Sequence, residues 1–290
     1  MNASVKRVWY FPITKIIVGI VVPFSLFVVI QNFVLKPFLY SIIQDKSIAD
    51  PIIIFISTVL LIGNYYFLFF LYEKRKITEL SLKYFPKEMF GSFIFGFLTI
   101  SLSIFILYLL GHYQVFSITT THFSARAFTV ILFAAIVEDI FHRGLIVREI
   151  ENWLGTHIAI GIGMLVELQH LSNPDTNLAS LLLYVIWGFT MSMMFIYTKR
   201  IWFPYFFHIG WNFAQPFYGS NLTGGTDIGS MIQSKFTGSE LITGGAFGIE
   251  GSIFTQLFLL IIGIVLYYLA KKEGKIVKSK LFKRGILKAN

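Results

Sequence analysis

The stretch FTVILFAAIVEDIFHRGLIV, residues 128–147, decides the fold. About twenty mostly apolar residues are what a helix needs to cross a hydrocarbon layer roughly 30 Å thick. Yet four ionisable side chains, Glu138, Asp139, His142 and Arg143, fall within six consecutive positions of it. A charged residue at the centre of a membrane helix costs about 2.5–3.5 kcal/mol on insertion scales, so such a cluster marks a functional site by default.

The rest of the chain supports that setting. Of 290 residues, 56% are hydrophobic, 18% aromatic and only 13% charged, where soluble domains carry about 25% charged residues. The mean hydropathy is +0.72. The apolar runs are continuous rather than alternating, which predicts helices and not a closed barrel. There is no cysteine, which excludes disulfides, zinc–thiolate sites, thiol catalysis and lipidated cysteines. The predicted class is therefore an all-α, polytopic membrane bundle, embedded in a lipid bilayer.

Eight spans are expected, near 13–35, 51–72, 89–111, 124–148, 156–172, 178–198, 201–218 and 249–270. The first is kept as an anchor, because no small-residue cleavage site follows it. The formal charge of +9 is explained by topology rather than by nucleic acid. With eight spans, Lys6, Arg7 and Lys15, the basic group between spans 2 and 3 (Lys74 to Lys87), Arg148, Lys199 with Arg200, and the tail from Lys271 to Lys288 all fall on one side. Only Lys36, Lys46, Arg126 and Lys235 fall on the other. This asymmetry predicts that both termini are cytoplasmic. No internal repeat is evident, which disfavours an inverted-repeat transporter with Glu138 and the histidines as a proton relay. The Gly-, Ser- and Thr-rich connection 219–248 reads as a lid, a re-entrant segment or a plain surface loop.

Spacing predicts how span 4 bears its charges. Asp139 and Arg143 are four apart and can neutralise each other, and Glu138 and His142 share the adjacent face. Glu138 is then a carboxylate without a dedicated counter-ion and a candidate general base. A purely structural polar clamp is the competing explanation. Span 5 adds Glu167 and His170, and span 7 adds His208 and Asn212 on one face. Measured from the basic ends at ~1.5 Å per residue, Glu138 lies about 15 Å deep, His208 about 12 Å, Asn212 about 18 Å and His170 about 21 Å. Independent clamps have no reason to agree in depth, so a shared site is favoured.

Glu, His, His and Asn limit the chemistry. No HExxH is present, and His112, His122, His142, His157, His170 and His208 include no pair at helical metal-ligand spacing, so a zinc protease of that pattern is disfavoured. Asp139–His142 and Glu167–His170 each read as carboxylate-x-x-His, as in di-iron bundles, but that site needs carboxylates from two more helices, and only Glu250 lies near a span. No Gly-x-Ser-x-Gly is found in the spans. What remains is water activation by a carboxylate with histidine help, and His208/Asn212 as donors to an oxyanion.

These residues resemble the motifs of the CPBP (Abi) intramembrane proteases, which include the type II CAAX prenyl endopeptidases and bacteriocin-processing enzymes. Glu138 and Arg143 match the opening Glu-Glu-x-x-x-Arg, with Asp139 in place of the second Glu. His170 matches the second motif, with Val166 at its aromatic position. His208 and Asn212, with Trp211 between them, match the third. HLSNP (170–174) and TGGAFGIEGS (243–252) also resemble segments of bacterial members. The likeness is good over roughly 121–216 and looser to about 267.

The resemblance implies a metal-independent glutamate endopeptidase with no cofactor. Glu138 would be the base, His170 would hold or activate water, and His208 with Asn212 would stabilise the oxyanion. Asp139 and Arg143 would brace the helix. Glu167 and His142 depart from the pattern: Glu167 adds charge near His170, and His142 is placed to tune Glu138. The implied organisation is amino-terminal helices 1–3 (1–120), a CPBP-like core of helices 4–8 (121–270) and a basic tail (271–290). The implied partner is a membrane-associated peptide or protein at a bacterial cell membrane. A scaffold regulating a sensor kinase or an immunity system, with the chemistry dispensable, is the alternative.

Overall fold

The computed structural model describes residues 2–118, 125–173, 176–223 and 229–279. His122, Pro174 and the tail from Lys280 lie outside them, as does the side chain of Arg126.

Long apolar runs become helices where local signals start and stop them. Helix α1 (Pro12–Ile42) contains a π-turn at Gln31–Leu35. Helix α2 (Lys46–Glu73) is capped by Asp45, whose carboxylate accepts from Ser47 N, and ends at Lys74 in the left-handed region. Helix α3 (Phe85–Leu109) follows. Helix α4 (Ala125–Glu138) runs through a π-helical segment, Asp139–Val147, into α5 (Arg148–Leu154). Helix α6 (Thr156–Val166) tightens into a 3-10 turn, Glu167–Ser172. Helix α7 (Leu178–Thr198) begins with a capping box between Asn177 and Ser180, which satisfies two otherwise free amides. Helices α8 (Trp202–Phe217) and α9 (Ile253–Lys272) complete the bundle.

A helix thus occupies each expected span. Five are long and apolar enough to cross a membrane: α1, α2, α3, α7 and α9. The three that carry the polar motifs are shorter or interrupted. Expected span 8 starts later, at Ile253, and Ile249–Gly251 forms a separate 3-10 turn.

Helix α7 is the inner post of the bundle: 72% of its apolar window is buried, against 17% for α1. Outer helices turn Phe33, Phe67, Leu71, Phe90 and Tyr108 outward, and so large an apolar surface is stable against lipid rather than water.

Among the described residues there is one two-stranded sheet. Strand β1 (Tyr113–Ile118) pairs antiparallel with β2 (Ile232–Phe236), with a bulge between Val115 and Ser117. The connection 219–248 is therefore not a plain loop: β2 ties it to the end of α3, and Tyr113 Oη donates to the Tyr218 carbonyl at 3.0 Å.

Several residues of the basic segments are paired with carboxylates. Lys15 contacts Glu73 at 2.5 Å, Arg75 contacts Glu79 at 2.5 Å, and Arg148 contacts Glu149 at 2.6 Å. Arg200 pairs with Glu88 and Lys199 with Glu151. Burial alone would raise the Glu79 carboxyl; its bonds to Arg75 and the charge of Arg148 outweigh that and hold it below the ordinary carboxylate range.

Helices α3 and α8 approach each other closely. A Cβ on Gly210 would lie 2.0 Å from the Phe93 carbonyl oxygen, and one on Gly96 would lie 2.1 Å from that of Phe207. Glycine at both points lets the backbones touch, which seats the helix carrying His208 and Asn212. Gly210→Ala must push backbone from backbone, and overpacking of this kind costs about 1–3 kcal/mol. Thermal unfolding in detergent is expected to show a marked loss for Gly210→Ala and little change for Gly91→Ala, whose Cβ meets nothing within 4 Å.

Candidate active site

The motif Glu138–Arg143 straddles the change from α to π geometry. A π-helix bonds i to i+5 and widens the turn, a device frequent at functional sites. The wider turn moves side chains off the faces that i, i+4 spacing assigns. Carbonyls within it are satisfied by side chains: Gly144 O accepts from Arg148 Nε at 2.9 Å and from Tyr65 Oη at 2.8 Å.

The result corrects two expectations. Asp139 and Arg143 do not chiefly satisfy each other. Arg143 Nη2 donates to Glu167 Oε1 at 2.6 Å, while Nη1 is 3.5 Å from Asp139 Oδ1, beyond a strong bond. The main counter-ion of Arg143 is thus the departure residue Glu167. His142 bonds to other groups than Glu138: its Nδ1 donates to Glu167 Oε1 at 3.0 Å, and its Nε2 accepts from Gln169 Nε2 at 3.1 Å. Both corrections follow from the π-turn, which swings residues 142 and 143 toward the 3-10 turn after α6.

Asp139 reaches α8 as well. Its Oδ2 accepts from His208 Nδ1 at 3.3 Å. That bond fixes the ring and leaves Nε2 pointing to Glu138 Oε2, 4.0 Å away. From the other side, His170 Nε2 stands 3.8 Å from the same Glu138 oxygen and 3.6 Å from Glu167 Oε2. Glu138 itself makes no hydrogen bond among the described residues. Exposure separates the groups: 21% for the Glu138 side chain and 23% for His170, against 0–1% for Asp139, Glu167 and Arg143.

The four expected site residues line one cavity of about 140 Å³, although α4, the turn after α6, and α8 are far apart in sequence. Trp187 forms a wall, its ring 4.9 Å from that of His208 and 5.3 Å from that of Trp211. Tyr184 packs on His170 at 5.6 Å. Asn212 is partly exposed to the cavity, and its amide has no hydrogen bond among the described residues, which leaves it available to a ligand.

Glu138, Glu167 and His170 offer three ligand atoms within 4.8 Å of one another, a grouping that a cation can use. Arg143 holds only Oε1 of Glu167; Oε2, 3.6 Å from His170 Nε2, makes no hydrogen bond among the described residues. The two carboxylate-x-x-His pairs part company, since Asp139 turns to His208 and His142 to Glu167.

Sequence reasoning missed Trp187 and Tyr184, apolar-face residues of a buried helix with no signal beyond size. It placed Glu250 at the edge of a span. In the structure Glu250 is 4% exposed and lines the cavity with the motif residues.

A carboxylate and two histidines from three separate helical segments thus converge on one small cavity. Residues 120–214, about a third of the chain, match the family described as type II CAAX prenyl endopeptidase Rce1-like. The match runs through the helices that hold the three motifs. No curated protein and no solved structure matches the chain.

A double-mutant cycle tests the pairing. Arg143→Ala and Glu167→Gln are each expected to lower abundance and detergent stability, because removing one partner strands a buried charge, at about 3–5 kcal/mol. The double variant should lose much less than the sum. Coupling of Arg143 with Asp139→Asn should be smaller, and the reverse order of the two couplings would contradict the assignment.

Proposed function

We propose that the chain is an intramembrane endopeptidase that hydrolyses a peptide bond of a membrane-associated peptide or protein without a metal. The observation that carries this is Glu138: a carboxylate with no hydrogen bond, reaching a cavity between His170 Nε2 and His208 Nε2. At 3.8 and 4.0 Å these gaps are too long for direct bonds and suit a water between the groups.

Glu138 takes a proton from that water, and His170 holds it. The oxygen attacks the carbonyl carbon. Charge developing on the carbonyl oxygen is met by the Asn212 amide and by the Nε2–H of His208, which in this reading is doubly protonated, its Nδ1–H held by Asp139. Asp139 is thus a positioning residue as well as a brace. In this reading the helices bearing the motifs also span the bilayer, giving eight spans with both termini in the cytoplasm of a bacterial cell, and residues 121–270 are the catalytic core. The family's name points to prenylated substrates; the chain's own features select only a membrane-associated one.

Glu138→Gln is expected to abolish cleavage at near-normal abundance and thermal stability. Comparison of membrane peptides from wild-type and Glu138→Gln cells by mass spectrometry would reveal the substrate, and an unchanged profile would favour the scaffold reading. Asn212→Ala should cut kcat about 10²–10³-fold, as loss of one oxyanion donor does, with KM little changed. The grouping of Glu138, Glu167 and His170 makes a bound cation the second reading. o-Phenanthroline should leave cleavage unaffected; loss restored by added zinc or iron would establish the metal instead.

A further inference from the structure

Glu250 sits in the 3-10 turn that precedes α9, within the segment TGGAFGIEGS (243–252), and has no role in the reaction described above. Its Oε2 accepts from Trp211 Nε1 at 3.1 Å and from Gln215 Nε2 at 3.0 Å. Both donors belong to α8, the helix of His208 and Asn212, and both are neutral. Its Oε1 is buried and makes no hydrogen bond of ordinary geometry, although Thr223 lines the same cavity. No cation contacts it among the described residues. The side chain lies in the wall of the cavity that Glu138, His170, His208 and Asn212 line.

Two carboxyl groups thus face one small space in opposite circumstances. Glu138 is partly exposed and faces two histidines. Glu250 is buried among neutral donors, and burial pushes its carboxyl up. Paired carboxyls whose surroundings differ in this way divide into a base and an acid. Water activation accounts for only half of a hydrolysis: the departing nitrogen must also receive a proton, because an amide anion is too poor a leaving group.

We propose that Glu250 is the general acid that protonates the leaving amine, an inference that rests on Glu138 being the base. The water oxygen bonds to the carbonyl carbon while one water proton passes to Glu138. As the carbonyl re-forms, the C–N bond breaks with its electron pair on nitrogen, and nitrogen takes the proton from Glu250 Oε1. The products are a carboxylic acid and an amine. The proton on Glu138 then returns to the Glu250 carboxylate across the cavity, which restores both groups without any other reactant. Trp211 and Gln215 hold Oε2, which leaves Oε1, without a donor of its own, as the oxygen that carries the proton.

The test compares two forms of one probe: an internally quenched peptide bearing the cleavage site found by membrane profiling, made with the scissile amide and with an ester in its place. An alkoxide departs with far less need of a proton. The Gln side chain of Glu250→Gln can keep the bonds from Trp211 and Gln215, so thermal stability should stay near wild type. Amide cleavage should fall by about 10²–10⁴-fold, the usual worth of acid–base catalysis, and ester cleavage only several-fold. Glu138→Gln should lose both. Amide cleavage close to wild type in Glu250→Gln, or equal loss of amide and ester, would overturn the proposal and leave Glu250 as a structural tie between α8 and the turn. Cleavage surviving in Glu138→Gln would instead overturn the underlying reading. If Glu250→Gln does not fold, Glu250→Asp decides: a shortened acid should slow the amide more than the ester, and an unchanged ratio would refute the role.

Discussion

The site depends on one buried ion pair. Arg143 is 1% exposed and Glu167 is fully buried, with 2.6 Å between them. Neither is stable in a low-dielectric interior alone; together, with His142 donating to Glu167 and Asp139 near the guanidinium, they form a compensated set. The pair joins the π segment to the turn after α6, and so fixes where His170 stands relative to Glu138. Because Arg143 is occupied, Glu138 is left without a cation. A carboxylate pinned by a guanidinium would be a weak base, so the pairing has a chemical as well as a structural consequence.

The remaining geometry follows from helices brought unusually close. Gly96 and Gly210 let α3 and α8 touch along their backbones. That contact sets the height of His208, whose ring is then oriented by Asp139. Asp139 therefore serves two helices at once: its Oδ2 accepts from His208 on one side and its Oδ1 lies 3.5 Å from Arg143 on the other. Leu222, Thr223 and the turn at Glu250 line the cavity from the connection between α8 and α9.

Much of this was legible in the sequence because lipid imposes a strict rule. Apolar runs of about twenty residues and sparse charges locate the eight helices, and the ordered motifs name Glu138, His170, His208 and Asn212, which the structure brings to one cavity. Equal depth was a sound clue, since it depends only on helical rise. Partner choice was not legible. Spacing of four implied Asp139–Arg143 and Glu138–His142 pairs, but that assumes an α-helix, and nothing in VEDIFHRG announces a π-turn. Glu250 escaped because its significance lies in long-range packing against Trp211 and Gln215, thirty-nine and thirty-five positions away. The short strands escaped because YQVFSI and IQSKF gain their stability only from each other.

The central claim is that Glu138 activates water rather than attacking the substrate itself. Cleavage by the purified protein in water enriched in oxygen-18, carried through many turnovers, tests it directly. The account predicts label in the new carboxyl terminus of the product and none in the Glu138 carboxylate when the protein is digested and weighed. Oxygen-18 in Glu138 would show that its carboxylate had formed and broken a covalent bond, and would contradict the account.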